Sequence, residues 1–257
     1  MKSWKLILLT GAFALTLWAA IGCGSDPVAP QETIQMDAET AEQWSIQAID
    51  MINQMAASAP LASQGDFTTL NADKTVDEPT WDEEQMAWVM DQTVTFSEGE
   101  PPTSTGETRV SVWIQFRNLE GPLPAPLGAT EMEYRQAAGM TMHNEGEQGV
   151  SDLEFDMSTG MLVTYLDAGY GMSGTGEAHV AASATSDGRT QNMNLTMNWG
   201  MALTSPFEGC PIGTAFVVVG QYRTDVEYDG QGNANWTLTG PSYSASGTES
   251  VPCGPAM

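Results

Sequence analysis

Basic side chains are scarce: 257 residues carry only eight Lys and Arg against 33 Asp and Glu, a formal net charge of −25. This excludes nucleic acid as a partner, because phosphate neutralisation needs clustered Lys and Arg. The same charge repels anionic lipid headgroups, so the folded part is expected to stand off a membrane and to use its acids as a solvated surface. Histidine is limited to His143 and His179, without a His-Glu-x-x-His or comparable metal spacing, and both read as surface or structural residues rather than general bases. Cysteine is limited to Cys23, Cys210 and Cys253 with no Cys-x-x-Cys, which argues against a thiolate metal site. Gly171-Met172-Ser173-Gly174-Thr175 lacks the final Gly of a nucleophile elbow and reads as a loop. No pair among the many acids stands out for glycoside hydrolysis. These absences predict a protein that is not an enzyme and needs neither cofactor nor metal.

The longest apolar run, Leu6 to Ala20, is too short for a transmembrane helix of roughly 20 residues and follows a basic head at Lys2 and Lys5. Ala20-Ile21-Gly22-Cys23 closes it. This segment resembles the signal and lipobox of bacterial lipoproteins, with Ala20 where Leu is commonest and Ile21 bulkier than usual. The resemblance covers about the first 25 residues. It implies cleavage after Gly22, diacylglycerol on the Cys23 thiol, and a partner in the membrane reached through that anchor. Ala20-Ile21-Gly22 also fits the small-x-small pattern of a soluble export signal cut at the same bond. Gly24 and Ser25, rather than Asp, follow Cys23, which by the sorting pattern of enterobacteria implies an outer-membrane address within the cell envelope.

Outside the cytoplasm Cys210 and Cys253 are expected to pair. Closing so long a loop would stabilise the fold by roughly 4 kcal/mol in the chain-entropy model and pin the C-terminus.

Along the chain, residues 1–22 read as the lipoprotein signal peptide and 23–36 as a flexible tether. Residues 37–80 read as a helix and polar linker, and 81–257 as an antiparallel β domain. The helix is expected from the capping box at Thr40-Ala41-Glu42-Gln43, with Ala41, Trp44, Ala48, Ile52 and Met55 at helical spacing to about Ser58. Beyond Trp81 the period becomes two. Met193, Leu195, Met197, Trp199, Met201 and Leu203 alternate with small or polar residues, as a strand with one wet face requires. Similar runs cover Trp88 to Phe96, Arg109 to Arg117, Thr130 to Met142, Val150 to Met157, Met161 to Leu166, Glu177 to Thr185, Gly213 to Tyr228 and Asn233 to Gly240. Asp187-Gly188 and Asp229-Gly230 are hairpin signals, and Gly121 to Pro126 is a Pro-rich loop. The expected fold is mainly β: a curved antiparallel sheet, open barrel or sandwich of about nine strands with one N-terminal amphipathic helix.

Three constellations could carry function. Met140-Thr141-Met142-His143 has soft ligands suited to copper(I), but strand alternation separates His143 from both methionines, which favours core packing. Asp225, Glu227 and Asp229 resemble the opening of a calcium loop, yet Gly232 and Trp236 stand where its later ligands belong, so a solvated strand face entering a turn is the simpler reading. Trp113 has the parity of Arg109, Ser111, Gln115 and Arg117; it is either a platform flanked by Arg or is covered by the helix or a loop. The resulting expectation is a non-enzymatic, membrane-anchored envelope lipoprotein whose β domain is structural or binds an apolar ligand or protein. Bacterial lipid carriers with an open barrel and helical cover look similar in element order. The alternative is a carbohydrate- or calcium-dependent surface binding protein. The residues of a ligand site are not defined by the sequence.

Overall fold

The computed structural model describes residues 32–33, 38–63, 79–99, 103–146, 149–186 and 189–253. Cys23 with the leader, residues 64–78 of the linker and the Asp187-Gly188 turn lie outside the described residues.

A two-residue strand β1 (Glu32–Thr33) precedes the helix α1 (Ala38–Ser63). The chain then builds β2 (Thr80–Asp82), β3 (Ala87–Glu98), β4 (Ser104–Asn118), β5 (Gly121–Leu123), β6 (Glu131–Gly146), β7 (Gly149–Leu166), β8 (Gly169–Ser186) and β9 (Arg189–Pro206). Four shorter strands finish it: β10 (Ile212–Val219), β11 (Tyr222–Asp229), β12 (Asn233–Thr239) and β13 (Ser244–Ser250). All join one 13-stranded sheet in the order β13-β12-β11-β10-β9-β8-β7-β6-β4-β3-β2, with β5 on β4 and β1 parallel to β9. The sheet is antiparallel apart from β1 and does not close into a barrel; β2 and β13 end its main path.

This agrees with the expected mainly β, one-helix fold, with more strands than nine. The 213–228 run breaks at Gly220, where φ is 58°, into the β10–β11 hairpin. The runs 150–157 and 161–166 instead join through Ser158-Thr159-Gly160 into β7, and the loop expected at Gly171 to Thr175 is the start of β8. Gly121–Leu123 of the Pro-rich segment pairs with β4. Thr40 lies inside the first turn of α1, and the helix continues past Ser58.

Because every long ladder is in register, the two faces separate cleanly. One cross-strand row on the inner face runs Ile114, Tyr134, Met161, Gly174, Met201, Ala215, Val226, Trp236 and Gly247. The matching outer row is Trp113, Arg135, Gly160, Thr175, Gly200, Phe216, Asp225 and Thr237. Ala41, Ala48, Ile49 and Ile52 of α1 are fully buried in the same cluster as Val217, Val219 and Leu238, so the helix packs on the inner face. The Tyr228 hydroxyl donates to Asn53 Oδ1 at 2.8 Å in a buried link between helix and sheet.

Aromatic rings fill the space that glycines leave on neighbouring strands. Trp199 lies over its partner Gly176, Phe216 over Gly200, Phe96 over Gly106 and Trp236 over Gly247. A Cβ at any of these glycines would meet the ring within 2.3–2.6 Å. Such pairs cover exposed sheet backbone and pin register.

Candidate binding surfaces

The disulfide Cys210–Cys253 ties the β9–β10 loop to the segment after β13, across 43 residues. Gly232 of the β11–β12 turn lies against both sulfurs, so the bond staples three connections at one corner of the short-stranded half.

The outer face carries an open groove of about 790 Å³. Trp113 is half-buried at one wall, on the face opposite the helix, so α1 does not cover it. The Arg135 guanidinium sits 4.6 Å from the Trp113 ring centroid. Glu133 accepts two hydrogen bonds from Arg135, at 2.6 and 2.8 Å, and one from Arg117 at 2.6 Å. At the other wall Phe216 lies under Arg223, whose Cζ is 4.7 Å from the ring; Arg223 forks onto Asp225 at 2.7–3.1 Å. Both arrangements hold a planar cation over an aromatic face with its charge balanced by a carboxylate two residues along the strand. Between the walls, Gly160, Thr175 and Ser158 form a shallow floor, and Asp91, Glu177 and Asn198 project exposed polar groups. Small floor residues with separated aromatics and free hydrogen-bonding side chains suit a flat polar ligand.

The other sequence candidates have defined local roles. His143 Nδ1 lies 2.7 Å from Asp152 Oδ1, and Ser183 Oγ donates to Asp152 Oδ2 at 3.3 Å. The carboxylate sits in the middle of this chain, so the imidazole does not reach the hydroxyl and no activated nucleophile results. His179 Nε2 pairs with Asn194 Oδ1 at 3.0 Å. Met140 and Met142 face inward while His143 faces outward, so the copper constellation does not assemble. Asp225 is engaged by Arg223, and Asp229 accepts bonds from Gln231 N, Asn233 N and Asn233 Nδ2 to cap the β11–β12 turn. Those bonds, led by the Asn233 side chain, hold the Asp229 carboxyl below its usual pKa. Among the described residues no group of three or more His, Cys, Asp or Glu side chains could hold a metal ion.

The inner face gathers the methionines that the sequence places at one strand parity. Methionines form a continuous field: Met132, Met140 and Met142 on β6, Met157 and Met161 on β7, Met172 on β8, then Met193, Met197 and Met201 on β9. Near the hairpin end, Met140, Met142, Met157 and Met193 are only half-buried, and Val94 on the same face is 50% exposed. The period-two placement of these residues was visible; their meeting across four strands depends on register. Burial also raises the pKa of the inner-face phenols Tyr134, Tyr165, Tyr170 and Tyr228, and pushes Tyr165 up to about 12. Asp50 on α1 is raised by desolvation and then by Glu249.

Together these features define a class: an open, two-faced antiparallel sheet with one helix on a methionine-rich inner face and a stapled C-terminal corner. No protein-family model, curated protein or solved structure matches the chain. Among the described residues no helix is long and apolar enough to cross a membrane.

Proposed function

We propose that the chain is a non-enzymatic envelope lipoprotein, anchored through Cys23 and addressed to the outer membrane, whose β domain holds an apolar ligand on its inner face. The observation that carries this reading is the half-buried methionine field around Met140, Met142, Met157 and Met193. Methionine is flexible and polarizable, so a surface built from it adapts to apolar partners of varied shape. The main packing of α1 is on β9, β10 and β11, and Met140, Met142 and Met157 on β6 and β7 remain half-buried beside it. A large apolar face of this kind marks a binding surface more often than bare structure.

The test is expression in a bacterial envelope, purification in mild detergent, extraction into organic solvent and mass spectrometry. Lipid beyond that covalently held at Cys23 should be recovered, and Met140→Asp with Met157→Asp should remove most of it. A protein that yields only its covalent lipid while folded normally would sink the ligand reading and leave a structural or protein-binding role. Intact-mass analysis of Cys23→Ser, which should lack the acyl mass, tests the anchor separately.

A second reading has its own support in the outer groove. The exposed guanidinium planes of Arg135 and Arg223, held over Trp113 and Phe216, can stack against a saccharide while Asp91, Glu177 and Asn198 take hydroxyls. Envelope glycan fragments should then quench tryptophan fluorescence in the wild type and not in Trp113→Ala. The calcium version has less support, because Asp225 and Asp229 are already committed to Arg223 and the turn.

A further inference from the structure

Val94 apart, the exposed large apolar side chains of the described residues are not scattered. Leu119 and Leu127 are 102% and 91% exposed, Leu166 46% and Phe207 47%. Single exposed apolar residues are ordinary on any surface, but a concentration of them is not. Leu119 lies in the β4–β5 turn, Leu127 in the β5–β6 loop, Leu166 at the β7–β8 turn and Phe207 after β9. In an antiparallel meander the ends of β4, β7 and β9 and the start of β6 all fall at one end of the sheet. The parallel strand β1 sits at the other end, against Gln191 and Asn192 near the start of β9. The tips therefore point away from the end where the chain enters the domain.

Backbone hydrogen bonds stitch these loops together. Thr130 N donates to Arg117 O and Tyr165 N to Thr130 O, both at 2.8 Å, and Phe207 N donates to Ala168 O at 3.0 Å. The Phe207 ring is braced against Tyr170 at 6.3 Å. At about 4.8 Å per strand, the tips span roughly 20 Å. Each of three tips carries an exposed acid as its next residue: Leu119-Glu120, Leu166-Asp167 and Phe207-Glu208.

We propose that this end of the sheet is a contact surface for a neutral, zwitterionic bilayer. The apolar tips enter the headgroup layer, and Glu120, Asp167 and Glu208 meet the ammonium groups of the headgroups. Separated tips suit a fluid surface that closes around each of them, whereas a protein partner would need a pocket for each. The adjacent acids disfavour an anionic membrane, and they disfavour a second copy of this chain, which would set the same carboxylates against one another. The tips lie at the end of the sheet opposite β1, where the chain enters from Cys23, so the bilayer they meet is not the one that holds the anchor, and the contact does not depend on a ligand at the inner face. It qualifies the charge-based expectation that the folded domain touches bilayer only through its anchor: that repulsion applies to anionic lipid.

The experiment places one environment-sensitive fluorophore on a single new cysteine, Leu127→Cys, in the chain with its leader removed and Cys23→Ser, so that no acyl anchor brings the opposite end of the sheet to a vesicle; Cys210 and Cys253 are bonded to each other. The parallel control carries Ser186→Cys at the opposite end of the sheet, and unlabelled-site background is taken from the same chain without the new cysteine. Adding phosphatidylcholine–phosphatidylethanolamine vesicles should raise the emission at position 127 several-fold and leave position 186 unchanged. Replacing part of the lipid with phosphatidylglycerol should reduce the response, and Leu119→Glu with Leu166→Glu should abolish it without moving the unfolding midpoint. An equal response at position 186, or one that survives both Glu substitutions, would overturn the proposal. No response to any vesicle would also overturn it and leave a protein as the occupant of these tips.

Discussion

The two halves of the sheet use the same alternation to different ends. In the short-stranded half, β10 to β13, the inward residues Val217, Val219, Thr224, Ala234 and Leu238 are completely buried, with α1 above and the disulfide at the corner. In the long-stranded half, β4 to β9, strands reach 18 residues, more than the helix covers, and several inward methionines remain half-buried. The short half is closed and anchors the fold; the long half is equally buried at Phe116, Val163 and Trp199 and presents an open face only toward its methionine end. A sheet carries both because each strand needs only its own ladder for backbone satisfaction, while coverage of its apolar face is decided separately.

Breaking the disulfide should separate the halves most. Cys210→Ser with Cys253→Ser releases a 43-residue loop that contains β10 to β13, and should cost about 4 kcal/mol in the chain-entropy model. Urea unfolding followed by tryptophan fluorescence would measure it. If the closed half is the anchor, hydrogen exchange should accelerate in β10–β13 well before β7–β8. Uniform acceleration would mean that the two halves unfold as one unit.

Paired truncations test the same contrast at single side chains. Leu238→Ala empties a fully buried site and should cost about 2–5 kcal/mol. Met157→Ala removes a half-buried side chain and should cost about 1 kcal/mol. Equal losses would show that the methionine field is as tightly packed as the covered half, and would remove the basis for ligand binding there.

The seam between helix and closed half is polar at one point. Tyr228→Phe strands the Asn53 side chain without its donor and should cost about 1–3 kcal/mol. Burial first, then the charge of Asp50, raises the Tyr228 pKa, and burial pushes Tyr165 up to about 12 from the ordinary 10.0. Because both native pKa values lie above the unfolded one, the stabilisation is complete below pH 10. It is lost as pH rises from 10 through about 12 for Tyr165, and beyond for Tyr228. Unfolding midpoints should therefore fall above pH 10, with a shallower fall in Tyr228→Phe. A variant curve parallel to the wild type would remove Tyr228 from the account.

The legible parts of this fold were those where one residue class held one parity. Met193 to Leu203 announces a strand because its six apolar residues share a face and the intervening ones are Asn, Thr, Gly and Ala. β13 was missed because its inward residues are Ala245, Gly247 and Glu249, and Gly247 is filled by the Trp236 ring from the next strand. Gly174 and Gly176 read as breaks for the same reason: a glycine carries no sign of the backbone, here at Gly160, or the ring, here of Trp199, that occupies its empty side. Trp113 was legible as an outward aromatic by parity, but Arg135 above it is 22 residues away and is brought there only by the β4–β6 register. The apolar tips had no periodic signal, since loop residues have none.

The smallest effect belongs to the outer face. His143, Asp152 and Ser183 form a linked set at the rim of the long half, and the His143 and Asp152 side chains are 49% and 57% exposed. Exposed pairs of this kind contribute about 0.2–1 kcal/mol and are screened by salt. Asp152→Asn should therefore change the unfolding free energy by less than about 1 kcal/mol, with the difference shrinking as ionic strength rises. A loss several times larger, unaffected by salt, would mean that this end of β6, β7 and β8 is held by its surface polar links. The long half would then be anchored from outside, and the division into a closed half and a presenting half would need a different physical cause.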